Sequence, residues 1–164
     1  MRNYLIIIIF SFITACSESA KPVDTAVENQ ILYIGNGTEP QDLDPHIVTG
    51  VPESKVLMAL LEGLVIRNPD GPEPLPGVAK DWDISADGKT YTFYLRDDAL
   101  WSNGDYVTAY DFVYAWNRVL MPSLGSKYPD MLYDVVNAEE FNKGTIKDFS
   151  RVGVKALDSK TLKV

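Results

Sequence analysis

Apolar residues recur at helical spacing in "PESKVLMALLEG", which covers residues 52–63. Four of them fall three or four positions apart and would share one helical face: Val56, Leu57, Leu60 and Leu61. Pro52 suits the first helical turn, Glu53 favours the positive end of the helix dipole, and Gly63 can end the helix. The pattern therefore predicts an amphipathic helix with this apolar face.

A second helix is predicted after Thr108, where Asp111 three residues later provides a shorter version of a capping box. Its apolar positions keep helical spacing as far as a proline and are Ala109, Phe112, Val113, Trp116, Val119 and Leu120. Burial of a large ring such as Phe112 or Trp116 stabilises a fold by roughly 2–3 kcal/mol. These two rings are therefore interpreted as core, whereas Trp101 lies in a predicted turn and its role stays open.

Alternating apolar and polar residues predict strands on both sides of Asp87 and Gly88, a dipeptide typical of a hairpin turn. Apolar runs predict a buried strand over residues 31–36 and another over 64–67. Near the end of the chain, a short helix is predicted in "DVVNAEEFNKG" and two strands in "RVGVKALDSKTLKV". The last strand stops in mid-run at Val164, so we expect the sequence to be the first part of a longer protein.

The N-terminal residues read "MRNYLIIIIFSFITAC", with one positive charge at Arg2 before an apolar run. The run is too short to span a bilayer, so residues 1–15 are predicted to be a lipoprotein signal peptide. It ends in a sequence that resembles a bacterial lipobox, which places Cys16 where lipidation would occur. The following residues are polar and lack apolar periodicity, so residues 16–30 are predicted to be a lipidated cysteine and a flexible tether.

The net charge is −8, from 23 acidic and 15 basic residues. Such a chain repels nucleic acid and anionic lipid headgroups, so neither is an expected partner. One cysteine and one histidine cannot form an internal disulfide or a structural zinc site. No metal, cofactor or catalytic residue is assigned, and a hydrolase would have to use His46 or an aspartate such as Asp44.

The central part of the chain resembles the signature region of the family 5 extracytoplasmic solute-binding proteins, which include peptide-binding components of ABC importers. The stretch concerned is "LRDDALWSNGDYVTAYDFVYAWNRVL". The likeness continues upstream in "GTEPQDLDPHIVTGVPES", "LLEGLVIRNPDG" and "PGVAKDWDISADGKTYTFYLR", and downstream in "VVNAEEFNKG" and "VGVKALDSKTLKV". It covers residues 31–164 in one register and is therefore far more specific than a single short motif.

The resemblance implies an α/β fold in which two lobes, joined by a hinge, close on a peptide. The first lobe would carry an extra α/β subdomain. Because family members are several times longer than a single domain, residues 31–164 would be the N-terminal part of this two-lobed fold, without the second lobe. The residues around Trp101 and Asp111 would then be scaffold.

The resemblance also implies where a ligand would lie. In the oligopeptide-binding branch, the stretch that resembles "HIVTGVPES" runs beside the bound peptide, so Thr49, Gly50 and Val51 would offer it main-chain N–H and C=O groups. This is strand addition, in which main-chain hydrogen bonds give affinity without reading side chains. Gly50 would let the two backbones approach closely. Without the resemblance, these residues fit an ordinary glycine turn before a helix that begins with proline.

The leading hypothesis is an extracytoplasmic or periplasmic lipoprotein, anchored to the membrane through Cys16. It would capture oligopeptides and deliver them to ABC transporter permease subunits without catalysing a reaction. Close alternatives are a dipeptide, murein-peptide or nickel carrier. A carbohydrate-binding surface lipoprotein would use Trp101 and Tyr106 as an aromatic platform. A hydrolase built on His46 ranks last, because the sequence has no nucleophile motif.

Overall fold

The computed structural model describes residues 21–164. The predicted signal peptide over residues 1–15 and the predicted lipidation of Cys16 lie outside the described residues. The chain divides into two compact units, Met1–Gly37 and Thr38–Val164. Among the described residues, no helix combines the length and apolar character needed to cross a membrane.

The described part of the first unit contains the helix α1 (Pro22–Asn29). The tether predicted over residues 16–30 thus contains a helical stretch in its described part. Proline occupies the first turn, and the Lys21 N–H donates to the Asp24 carboxylate at 3.0 Å, so local hydrogen bonding starts a helix without an apolar pattern. Gln30 ends the helix in the left-handed conformation, with φ of 53°.

The segment at residues 31–36 was expected to be a buried strand, and this prediction is wrong. It forms no strand, and Leu32 and Ile34 are 81% and 70% exposed. A strand buries its side chains only where its backbone pairs with a neighbour. None of the strands in the described part of the chain pairs with this segment.

The second unit begins with the helix α2 (Val51–Leu60), followed by a small antiparallel pair of β1 (Val65–Ile66) and β2 (Leu75–Pro76). The predicted helix and the strand predicted over 64–67 are thus confirmed in type. Just after β2, a Cβ atom on Gly77 would lie 2.5 Å from the Gly63 carbonyl oxygen. Only glycine allows the chain to pass so close to another backbone.

The main sheet has four antiparallel strands in the order β3-β4-β6-β5. The predicted hairpin is confirmed: Gly88 has φ of +70° in the turn, and the Ser85 N–H donates to the Thr90 carbonyl at 2.9 Å. The two strands predicted near the end of the chain are also confirmed. The strands are β3 (Ala79–Ile84), β4 (Tyr91–Leu95), β5 (Lys155–Ala156) and β6 (Thr161–Lys163).

The helix α3 (Ala109–Leu120) connects the two halves of this sheet. Its predicted start is confirmed, because the Asp111 carboxylate accepts from the Thr108 N–H at 2.7 Å and from the Thr108 hydroxyl at 2.8 Å. The short helix predicted before Gly144 is α4 (Ala138–Asn142). Single 3-10 turns cover Pro122–Leu124, Pro129–Leu132 and Phe149–Arg151.

The hydrophobic core lies between the main sheet, α3 and α4. Phe112 and Trp116 pack against it as partly buried rings, which confirms their interpretation as core. The largest fully buried side chains come from β4, α3, β6 and the segment before β5: Leu95, Leu120, Leu162 and Val152. Mixed helix and sheet content agrees with the predicted α/β class.

The turn that carries Trp101 is held from outside by Lys160. The Lys160 ammonium donates to the carbonyls of Arg96 at 3.2 Å and Val107 at 3.1 Å, and its Nζ lies 5.3 Å from the centre of the Tyr106 ring. The Trp101 N–H donates to the Asp105 carbonyl at 2.8 Å within the turn. The turn is therefore fixed at both of its ends.

Candidate functional site

The site is built from a turn centred on Asp44. Its main-chain carbonyl accepts from the N–H groups of Ile47 and Val48, both at 3.2 Å, and its side chain accepts from the His46 N–H at 3.0 Å. Such local side-chain hydrogen bonds favour a turn over a helix or a strand. Residues 48–50 follow this turn and lead directly into α2.

Residues 48–50 form one edge of an apolar groove of about 400 Å³. We call this cavity the α2 groove. Thr49 and Gly50, two of the three residues predicted to bind ligand, line it, while Val51 begins α2 beside it and is 67% exposed. The complete lining consists of Val48, Thr49, Gly50, Ser54, Leu57, Met58, Leu61 and Tyr128.

Some main-chain groups at this edge of the groove have no hydrogen-bond partner among the described residues. In the described part of the chain, no hydrogen bond involves the N–H or C=O of Thr49, whose side chain is exposed. The Gly50 carbonyl, by contrast, accepts from the Ser54 N–H at 3.1 Å and so begins α2. Thr49, which lines the groove, therefore keeps a donor and an acceptor without a partner among the described residues, as an added strand requires.

Gly50 also has a close contact within the chain. A Cβ atom at this position would lie 1.9 Å from Oε2 of Glu53, whose side chain is 5% exposed. The other carboxylate oxygen of Glu53 accepts from the Gln41 N–H at 2.8 Å. That hydrogen bond from Gln41 is the main cause that lowers the pKa of Glu53. A residue with a Cβ atom would therefore displace the Glu53 carboxylate from its present position.

Arg118, in the last turn of α3, joins this helix to the Asp44 turn. Its Nη1 donates to Asp44 Oδ1 at 2.8 Å, its Nη2 to Asp44 Oδ2 at 2.5 Å, and its Nη1 also lies 2.8 Å from His46 Nδ1. A planar guanidinium matches a carboxylate with two parallel hydrogen bonds. We call Asp44, His46 and Arg118 the Arg118 cluster.

The charges of the Arg118 cluster stabilise one another. The hydrogen bond from Arg118 lowers the pKa of Asp44 to about 2, and the same bond raises the pKa of Arg118. Burial lowers the pKa of His46, and the neighbouring Arg118 charge lowers it further. At neutral pH the cluster is thus an ion pair with a neutral imidazole. A carboxylate held in this way is a poor general base, which argues against the hydrolase hypothesis.

Sequence reasoning did not identify two walls of the α2 groove. The predicted apolar face of α2 is largely open, since Leu60 is 68% and Leu61 47% exposed. Met58 and Tyr128 line the groove, but neither stands out in the sequence pattern. An apolar stripe indicates that one face of a helix contacts another surface. It does not indicate whether that face packs in the core or lines a groove.

The aromatic platform proposed for a carbohydrate ligand is only partly accessible. Trp101 is 45% and Tyr106 64% exposed. The Lys160 ammonium, however, lies over the Tyr106 ring, so one face of that ring is occupied. For a metal carrier, the described residues offer no group of three or more His, Cys, Asp or Glu side chains that could hold an ion.

Comparisons with known proteins agree with this fold. The model of the bacterial extracellular solute-binding proteins, family 5 Middle, matches residues 73–164, more than half of the chain. The periplasmic oligopeptide-binding protein OppA of Escherichia coli (strain K12) is 46% identical over 142 residues, which cover 85% of this chain and 26% of that protein. The chain thus spans about a quarter of the length of this relative.

Solved structures give the same result. Haemophilus influenzae OppA, in complex with the peptide RPPGFSPFR, is 46% identical with a TM-score of 0.73, over 79% of this chain and 25% of that one. The murein tripeptide-binding protein MppA, in its unliganded open form, is 42% identical with a TM-score of 0.71, over 76% and 24%. The identity, the matched family model and the shared fold together show that this chain belongs to family 5 of the bacterial extracellular solute-binding proteins.

Proposed function

We propose that this chain supplies one wall of the peptide site of an oligopeptide-binding component of an ABC importer. The observation that carries the proposal is the free main chain of Thr49 at the edge of the α2 groove. A peptide laid along this edge would pair its own backbone with that N–H and C=O. Such pairing is independent of peptide sequence, which suits a carrier of many peptides.

The apolar lining of the α2 groove supports the same proposal. Leu57, Met58 and Leu61 form one wall and Tyr128 contributes a ring, so a peptide side chain entering the groove would be removed from water. The volume of about 400 Å³ falls within the range of small-ligand sites. Methionine adapts its shape to different partners, which favours tolerance of many side chains.

The cellular setting is part of the proposal. The homologues are periplasmic or extracytoplasmic solute-binding proteins. We place this chain outside the cytoplasmic membrane as well, anchored by a lipid on Cys16, with permease subunits of an ABC transporter as partners. Radiolabelled palmitate incorporated into the wild-type chain but not into Cys16→Ser would support the anchor, and equal labelling of both would contradict it.

Thr49 offers a test that separates main-chain from side-chain recognition. Thr49→Pro removes the N–H, whereas Thr49→Ala keeps the main chain and removes only the hydroxyl. Both changes are made in a chimera in which residues 31–164 replace the aligned quarter of the E. coli relative, so that a second lobe is present. Peptides retained by the purified chimeras are then measured by native mass spectrometry.

The proposal predicts that the chimera and its Thr49→Ala variant retain peptides and that Thr49→Pro loses them while keeping its cooperative melt. Equal retention by both variants would show that the Thr49 main chain does not bind the ligand. A chimera without peptide would contradict the proposed function itself. The family also includes dipeptide and murein-peptide carriers, so the masses of retained peptides decide among these alternatives.

A further inference from the structure

We propose that the Arg118 cluster positions the peptide-binding edge of the α2 groove. Arg118, Asp44 and His46 would touch no ligand; they would hold the Thr49 main chain at the height and angle that strand addition needs. The proposal rests on the proposed function for its purpose. The positioning of residues 47–50 by Arg118 depends only on the observed geometry, and a separate experiment tests it.

The Arg118 cluster connects distant parts of the chain. Arg118 is 74 residues from Asp44 and 72 from His46 along the chain, so the cluster joins two segments that sequence does not bring together. The Arg118 side chain is 31% exposed and that of Asp44 24%, so solvent screens the ion pair less than at an open surface. Two hydrogen bonds to one carboxylate fix both distance and orientation.

Asp44 connects Arg118 to the residues directly before Thr49. Its carboxylate accepts from Arg118 and its carbonyl accepts from the N–H groups of Ile47 and Val48. A displacement of Asp44 therefore moves the residue directly before Thr49. At the other end of the segment, the Gln41 N–H is held by Glu53 in α2. The segment that carries the peptide-binding edge is thus fixed to α3 at one point and to α2 at another.

The contact with Arg118 fixes the tautomer of the His46 imidazole. An arginine donates and never accepts, so the close Nη1 contact requires a lone pair on Nδ1 and places the ring proton on Nε2. Protonation of Nδ1 would remove this hydrogen bond and place two cations in contact. The charged groups that face the imidazole are Arg118 and Asp44, while Tyr114, one helical turn earlier on α3, faces Arg118. Acid therefore weakens the attachment of the turn to α3.

Hydrogen exchange on the full chain tests the positioning directly, with Cys16→Ser to prevent lipidation. Arg118→Met is compared with Arg118→Lys, which keeps the charge but not the planar fork, and with Arg67→Met, a matched control at an exposed arginine. We expect the amides of Ile47 and Val48 to exchange about tenfold faster in Arg118→Met, with a smaller increase in Arg118→Lys. The β3–β4 amides should not change.

Unchanged exchange at Ile47 and Val48 in Arg118→Met would overturn the proposal, and so would equal acceleration in the Arg67→Met control. These outcomes do not depend on any ligand. General acceleration that includes β3 and β4 would mean that Arg118 only supports the overall fold, and would also overturn a specific positioning role. Peptide binding can fail in the wild-type chain without altering these results, so failure of the proposed function is recognised separately.

His46 provides a second measurement, because it is the one histidine in the sequence and gives a single imidazole signal. Nitrogen NMR should show the Nε2–H form in the wild type and a pKa below the ordinary 6.5, which rises in Arg118→Met. Protonation of His46 in acid should lower the protection of the Val48 amide relative to its intrinsic exchange rate. His46→Asn keeps an acceptor near the Nδ1 position but does not titrate, so it should abolish this loss of protection. A wild type in the Nδ1–H form would contradict the cluster geometry.

Discussion

Replacement of Lys160 by methionine tests whether the turn that carries Trp101 depends on one ammonium group. Methionine keeps the apolar stem but cannot donate to the carbonyls of Arg96 and Val107, which Lys160 reaches at 3.2 and 3.1 Å. Hydrogen bonds that involve a charged group contribute about 1.5–3 kcal/mol each. Because both are long and Lys160 is only partly buried, we take about 0.75–1.75 kcal/mol for each bond, around the lower end of that range.

Together with about 0.5 kcal/mol from the contact with the Tyr106 ring, the expected loss in the free energy of unfolding is about 2–4 kcal/mol. For a chain of this size the melting temperature should fall by about 6–12 °C. The matched control is Lys163→Met, an exposed lysine in β6, the strand that begins directly after Lys160. Urea denaturation followed by circular dichroism measures both variants.

A Lys160→Met variant within about 0.5 kcal/mol of the Lys163→Met control would refute this reasoning. It would mean that water replaces the Lys160 ammonium as the donor to the carbonyls of Arg96 and Val107 without loss of stability. The hydrogen bonds within the turn would then be sufficient to maintain it. Proton exchange of the Trp101 amide, which bonds to the Asp105 carbonyl, gives an independent measurement. That amide should exchange faster in Lys160→Met than in the control.

Three further predictions concern the second unit. Gly77→Ala should destabilise the fold by about 1–3 kcal/mol, measured by urea denaturation, because the new Cβ meets the Gly63 carbonyl at 2.5 Å. Gly50→Ala should lower the melting temperature in the wild type but not in a Glu53→Ala background, since the clash is with the Glu53 carboxylate; equal effects in both backgrounds would locate the cost elsewhere. The pKa of Asp44 is lowered from 3.8 to about 2 by Arg118, so this group contributes at most about 2 kcal/mol above pH 3.8, and the contribution disappears as the pH falls through about 2. The difference in stability between wild type and Asp44→Asn should follow that pH course, and a difference independent of pH would contradict it.

Features that depend on near neighbours in the chain were predictable. The hairpin at Gly88 needs one residue with positive φ, and the start of α3 needs a side chain three residues after Thr108. Features that depend on a distant partner were not predictable. The apolar run at residues 31–36 cannot indicate whether another strand pairs with it. The contact of Arg118 with Asp44 links residues with no shared motif.

Gly50 shows a subtler limit of sequence reasoning. A glycine beside a proline-led helix correctly indicates that a side chain is excluded, and the resemblance placed it beside a ligand. The group that excludes the side chain is Glu53, three residues later. Sequence identifies a close approach but not the atom that approaches.

The strand order β3-β4-β6-β5 has a consequence for how the protein folds. The β3–β4 hairpin joins neighbouring residues and can form within microseconds. The other edge of β4 pairs with β6, for example through Phe93 and Leu162. The helices α3 and α4 lie between these two strands in the sequence. Closing so long a loop is slow. During folding, β4 therefore keeps an unpaired edge until β6 joins it, and in that interval the edge can pair with other unfolded chains.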